Sequence, residues 1–389
     1  MELKTLKGIS WDHPRGFGPL PPTAAQFSAA HPDVQIVWEK RSLHDFGAYP
    51  VDDLAGKYDL VVLDHPWVGF MSETRCYLPM DELLPRAVLD DLAAHSVGPS
   101  HRSYEWDGHQ WALAIDAATP VASYRPDLLA RLGMQVPATW EQVLQLGREA
   151  RAAGMRIAMP MGPVDAISVF LTLADNIGGE PFATTSRVVS YDVAAAVIDA
   201  MRRLAELCDP IDYTLTPITM MDRMSTTDQI VYCPLAYGYN NYSRAGFRPR
   251  LCLYADMPAL GSDGPKGSHI GGTGIAISTR CRWPQVAAEY CAWVCGGPCQ
   301  RTSYFDHGGQ PGNSQAWDDP RVNQISHNFF RNTRQTIERA YLRPRYNGYI
   351  PVQYEGGAMI QKCLRDNGEV DQLVRDLDRL YQQSLGANK

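Results

Sequence analysis

No apolar run in this 389-residue chain approaches the roughly 18 residues that would cross a bilayer as a helix. No block of Lys or Arg stands out among 36 basic and 43 acidic residues, and the formal charge is -7. The first lack argues against membrane insertion, the second against nucleic acid or an anionic lipid surface as partner. A phosphate-binding loop is missing, because the glycines of Gly261–Gly274 are not followed by Lys-Ser/Thr. So is a Gly-x-Ser-x-Gly nucleophile elbow. His13, His65 and His307 lie on separate segments without metal-ligand spacing, so no metal and no other cofactor is expected. The chain has neither an internal repeat nor a low-complexity segment. Its opening, Met1 to Gly8, has no apolar h-region. As it stands the chain reads as cytoplasmic; it reads as periplasmic or extracellular if a leader was removed.

Cysteine, by contrast, is plentiful. Nine residues, an odd number in mostly apolar contexts, suit a reducing compartment better than an oxidising one. Cys291, Cys295 and Cys299 recur every four residues. The reading taken is a buried helix face of small apolar side chains, since a metal site would need a fourth ligand and Gly296-Gly297-Pro298 interrupts the helix. A chain of this length exceeds one small core, so two domains are expected.

The N-terminal region alternates strand and helix signals: Leu6–Trp11, Pro22–Ala30, Val34–Trp38, then Tyr58–Leu63, whose YDLVVL is the continuous apolar run of a buried parallel strand. Further on, Ile157–Met161 and Gln229–Tyr237 read as strands, Ala166–Asn176 and Ala194–Leu207 as helices. Gly261–Gly274 reads as a loop and Ile275–Ser278 as a strand returning to the first domain. Pro284–Cys295 opens with proline at a helix start. Tyr346 to Gly357, YNGYIPVQYEGG, reads as a Tyr- and Gly-rich loop, and the segment from Asn323 to Lys389 as mainly helical.

Gln110 to Gly154 carries the sharpest signal. An apolar strand ends on Asp116, a second strand runs to Tyr124, Pro126 opens a helix, and Pro137-Ala138-Thr139-Trp140 leads into another. Thr139 and Gln142 have capping-box spacing, and Val143, Leu146, Gly147 and Ala150 share a helix face. This order resembles the interlobe crossover of the extracellular solute-binding proteins, the sugar-binding branch that feeds ABC importers. Leu78 to Leu84 resembles that family's Leu-x-Pro-Leu-Asp-Asp segment. Pro284, Ala287 and Tyr290 match its Pro-x-x-Ala-x-x-Phe/Tyr, and Gly308 to Pro311 its Gly-x-x-Pro. The resemblance implies an α/β, two-lobed type II periplasmic-binding-protein fold with about three interlobe crossovers and a ligand cleft at the hinge. Lobe 1 is expected at 1–115 and 268–312, lobe 2 at 116–267 and 313–389, the latter ending in helices. A monomer is the usual state in that family.

Candidate contacts follow from strand ends and crossovers. Trp11, Asp12, His13 and Arg15 follow the first strand; Trp11 and Asp12 also suit a packed, capped turn. Asp64, His65 and Trp67 end the YDLVVL strand, with Trp67 able to stack on a sugar ring or to pack the lobe. Asp116 sits where the resembled family has a polar hinge residue. Tyr237, Tyr239, Asn240, Asn241 and Tyr242 offer aromatic faces and amides that suit hydroxyls. Gly272 and Thr273 could present backbone amides, and His307 and Gln310 lie near the third crossover.

Two functions stay open. One is a solute-binding protein closing on a small polar ligand, carbohydrate-like or carboxylated, for an ABC permease if it is exported. The other is an intracellular enzyme or ligand sensor on the same scaffold, with Asp116, His65, His13 and Asp12 as acid–base groups.

Overall fold

A computed structural model describes residues 2–42, 46 and 51–386. Residue 1 and the last three residues of the segment expected to be helical to Lys389 lie outside the described residues. The chain divides into two compact units: Met1–Ala118, Gly271–Gln324 and Arg345–Asn347 form the first, and Thr119–Ile270, Ile325–Pro344 and Gly348–Lys389 the second. Long segments pass from one unit to the other after residues 118, 270 and 324, and residues 345–347 return briefly to the first.

The first unit is built on a six-stranded sheet in the order Val34–Arg41, Lys4–Trp11, Leu60–Leu63, Gly271–Ser278, Tyr77–Leu78, with Leu113–Ala118 also paired to Gly271–Ser278. The first three strands are parallel, and Gly271–Ser278 returns antiparallel to its neighbours. All four residues of Leu60–Leu63 are buried, as a strand covered on both faces requires. Ile9, Val61, Leu63, Met71, Trp111 and Ala276 belong to the core formed over this sheet. Helix Pro284–Cys295 begins at the expected proline and buries Cys291 and Cys295.

The second unit has a four-stranded sheet, Leu253–Ala255, Pro120–Tyr124, Ile230–Tyr237, Arg156–Ile157. Pro234 interrupts the ladder of Ile230–Tyr237, whose register shifts between Cys233 and Ala236, because proline has no N–H to give. Helix Trp140–Ala152 starts with the expected capping box: Thr139 Oγ1 accepts from the Gln142 N–H at 3.4 Å, and Gln142 Oε1 accepts from the Thr139 N–H at 3.2 Å.

Three sequence expectations change. The strand expected at Ile157–Met161 is limited to Arg156–Ile157. The return strand begins at Gly271, not Ile275, because residues 271–273 pair with Asp116–Ala118. The Tyr- and Gly-rich segment is a helix from Tyr349 to Arg365, entered through Gly348 at φ 111°. Its glycine pair serves packing: a Cβ on Gly357 would stand 2.0 Å from the Pro163 carbonyl oxygen, and one on Gly356 would meet Leu377 at 3.2 Å. Two helices approach closely there because no side chain intervenes.

Candidate ligand-binding residues

In the first unit, strand Lys4–Trp11 runs out into a tight turn. Trp11 is buried and stacks on His13, ring centroids 5.4 Å apart and planes 12° from parallel. A Cβ on Gly16 would lie 2.2 Å from the indole, so glycine is what lets the ring lie on the turn. His13 Nδ1 accepts the Arg15 backbone N–H at 3.0 Å. The turn thereby sends Arg15 inward to Asp116, 101 positions along the chain. Arg15 Nε donates to Asp116 Oδ2 at 2.8 Å and Nη2 donates to Oδ1. The side chains are 4% and 2% exposed, so this is a buried, bidentate ion pair. Burial pushes the Asp116 carboxyl above the ordinary carboxylate range, and the guanidinium beside it offsets this only in part.

Strand pairing gathers further candidates around Asp116. Thr273 stands opposite it on the return strand, and Pro311 bridges to it from the other side. Gln310 Nε2 donates to the Ala117 carbonyl at 2.9 Å. Gly272 has φ 95°, and a Cβ there would sit 2.3 Å from the Asp116 carbonyl oxygen. Trp11, His13, Arg15, Asp116, Gly272, Thr273 and Gln310 therefore form one neighbourhood. Asp12 turns away from it and pairs with Lys40 at 2.9 Å, both half-exposed.

The loop after Leu60–Leu63 is a short 3-10 turn, His65–Trp67, whose N-cap Asp64 accepts the His65 N–H at 2.9 Å. His65 is fully buried, with Nδ1 3.1 Å from Asp64 Oδ1 and its ring edge-on to Tyr104. Trp67 is half-buried against Phe70 and the core. His307 is exposed, its Nδ1 2.8 Å from the Ser303 carbonyl.

In the second unit Tyr237 is half-buried, and its hydroxyl lies 3.0 Å from Nδ1 of the buried His269. The His269 N–H donates to Thr172 Oγ1 at 3.0 Å, and its ring lies nearly parallel to Tyr341, 6.3 Å away. Other members of the aromatic stretch hold their own turn. Tyr254 Oη accepts the Tyr239 N–H and donates to the Tyr239 carbonyl. Asn240 Oδ1 accepts from Arg244 Nε at 2.8 Å, and Tyr242 donates to Asp222 Oδ1 at 2.8 Å. Asn241 is buried in the same 3-10 turn, Asn240–Ser243. Tyr349 is buried and Glu355 exposed on the helix that replaced the expected loop.

Sequence reasoning passed over His269 and Arg343, both buried polar residues of the second unit; Arg343 Nη1 donates to Gln353 Oε1 at 3.0 Å. The signal for His269 was its place directly before Ile270-Gly271-Gly272, where the chain leaves the second unit. All nine cysteines are free thiols, and burial pushes Cys252, Cys281 and Cys299 up to about 12. Among the described residues no group of three His, Cys, Asp or Glu is placed to hold a metal ion, and no helix is long and apolar enough to cross a membrane.

No family model matches the chain. A curated relative, the maltotriose-binding protein of Pyrococcus abyssi, is 27% identical over 124 residues, 32% of this chain; the match spans only a quarter of that relative's length. Solved structures agree over far more. An ABC-transporter solute-binding protein from Agrobacterium radiobacter K84 in complex with ribitol matches with TM-score 0.82 and 19% identity, over 98% of this chain and 100% of that one. Maltose-bound MalE3 of T. maritima matches with TM-score 0.81 and 16% identity, over 97% and 99%. A D-mannitol-bound solute-binding protein from Agrobacterium vitis S4 matches with TM-score 0.77 and 13% identity, over 99% of each chain. From end to end, then, this chain has the two-unit α/β fold of the solute-binding proteins of ABC transporters.

Proposed function

We propose that the chain is a solute-binding protein that takes a neutral sugar or polyol and presents it to the permease of an ABC importer. The observation that carries this reading is the agreement in fold, over 98% of the chain, with a ribitol-bound protein of that class. The first unit supports a neutral ligand, because the Arg15 charge is already met by Asp116 and that pair offers no spare cation to a ligand carboxylate. The candidate contacts in the first unit are the polar groups of His13, Arg15, Asp116, Thr273 and Gln310. In the second they are Tyr237 and His269, whose paired hydroxyl and imidazole both donate and accept as sugar hydroxyls require. Each unit by itself also offers a half-buried ring of a kind that suits the apolar face of a sugar, Trp67 in the first and Tyr237 in the second. Such a protein works outside the cytoplasmic membrane, as a monomer.

The test is thermal melting of the purified protein with ribitol, mannitol and maltose, followed by recovery of the ligand. A bound ligand at a hundred times its Kd adds about 2.7 kcal/mol and raises Tm. Tyr237→Phe weakens that response, read as the ligand-induced rise above the variant's own ligand-free Tm, which itself falls because the buried His269 loses its Tyr237 partner. The reading falls if no sugar or polyol raises Tm, or if a bound one comes back chemically altered.

A further inference from the structure

The chain contains two Asn-Gly pairs, Asn347-Gly348 and Asn367-Gly368. In such a pair the glycine amide nitrogen can attack the asparagine Cγ, because glycine has no side chain to block the approach and its backbone turns freely. A C–N bond forms and the Cγ–Nδ2 bond breaks. The side-chain nitrogen leaves as ammonia, taking up the proton lost from the glycine amide. Water then opens the cyclic imide at either carbonyl, leaving aspartate or isoaspartate.

The fold treats the two pairs differently. Asn367 follows helix Tyr349–Arg365 at φ 51°, and the Gly368 N–H donates to the Cys363 carbonyl at 2.9 Å. The Gly368 carbonyl in turn accepts from Arg202 Nη2. This helix end must open before the Gly368 nitrogen is free to react. Asn347 and Gly348 lie in the turn that precedes the same helix, both half-buried. Among the described residues the Gly348 N–H donates to no group, so its nitrogen is free to react without any such opening.

The surroundings of Asn347 give the reaction a consequence. Residues 345–347 belong to the first unit, although the chain on either side belongs to the second. Arg345 Nη1 donates to the carbonyls of Arg102 and Glu105 at 2.7 and 2.6 Å. The Arg345 carbonyl accepts the Gly69 N–H at 2.9 Å, and a Cβ on Gly69 would lie 2.2 Å from that oxygen, so glycine is what permits the contact. Asn347 Nδ2 donates to Glu73 Oε2 at 2.6 Å. Turning that amide into a carboxylate removes the donor and sets two negative charges against each other. We propose that Asn347 is a site of spontaneous deamidation, and that its conversion detaches residues 345–347 from Glu73.

The test is incubation of the full chain in mildly alkaline buffer, with peptide mass mapping over time. In the folded protein Asn347 gains the mass of the amide-to-acid change many times faster than Asn367; in urea the two convert at similar rates. Asn347→Gln abolishes the first signal. Asn347→Asp, made directly, speeds hydrogen exchange of the Gly69 N–H by about tenfold, the scale of one lost hydrogen bond and one pair of like charges near the surface. Glu73→Gln in the same chain restores a donor and reverses that effect. The proposal is overturned if Asn367 converts as fast as Asn347 in the folded chain, or if the same difference persists in urea. It is equally overturned if Asn347→Asp leaves Gly69 exchange unchanged, or if Glu73→Gln fails to reverse it.

Discussion

Removing the Arg15 guanidinium tests whether the first unit depends on a buried ion pair that joins its N-terminal strand to Leu113–Ala118. In Arg15→Met the Asp116 carboxylate stays in a site that leaves it 2% exposed, with its cation gone. Breaking such a pair from one side costs about 3–5 kcal/mol, because a buried charge is left uncompensated. For a unit of this size each kcal/mol moves Tm by roughly 2–4 °C, so a fall of about 6–20 °C is expected by calorimetry. The cost depends on pH. Burial already raises the Asp116 pKa above that of the unfolded chain, and removing Arg15 raises it further. A group with a raised native pKa contributes stability that is fully present below its unfolded pKa, about 3.9, and lost as pH rises through the native value. The deficit of Arg15→Met is therefore small near pH 4 and grows towards pH 8. Replacing both partners, Arg15→Met with Asp116→Leu, removes both charges and costs less than the two single changes summed. Single variants that cost under about 1 kcal/mol, an additive double variant, or a deficit equal at pH 4 and pH 8 would each refute the reasoning.

Three other perturbations address separate parts of the fold. Gly357→Ala would gain about 0.5–1 kcal/mol if helix propensity alone mattered. With its Cβ 2.0 Å from the Pro163 carbonyl oxygen it destabilises instead, and urea unfolding gives the sign. Thr139→Ala removes one half of the capping box on helix Trp140–Ala152 and costs about 1 kcal/mol, read as a lower urea midpoint with unchanged slope. Asp165, in the first turn of helix Pro163–Asn176, is pushed by burial up to about 7. Its contribution to stability is present at acid pH and disappears as pH rises through 7. Asp165→Asn should flatten that fall in melting profiles between pH 5 and 8, and an unchanged profile would contradict the assignment.

The parts of the fold legible in the sequence are those set by neighbours in the chain. Thr139 and Gln142 are three residues apart, so their reciprocal hydrogen bonds need nothing beyond the first helical turn. Pro284 opens its helix because a fixed φ and a missing N–H suit that position in any context. Leu60–Leu63 reads as a central strand because four consecutive apolar residues have no polar face to turn to water. The glycine pair Gly356-Gly357 was misread for the converse reason. Locally glycine favours turns, and only the Pro163 backbone opposite shows that the missing Cβ is required by helix packing.

The candidate site divides in the same way. The sequence by itself determined that Asp116 lies in an apolar strand, though not that the strand runs on past it to Ala118, that His13 and Arg15 follow the first strand, and that Tyr237 ends another. Only the tertiary structure decided that Arg15 meets Asp116 across 101 positions, that Asp12 faces away to Lys40, and that Tyr237 is answered by His269. Strand register makes these choices. It is set by burial over a whole sheet and turns alternate side chains to opposite faces, so which charge meets which is fixed only once every strand is in place.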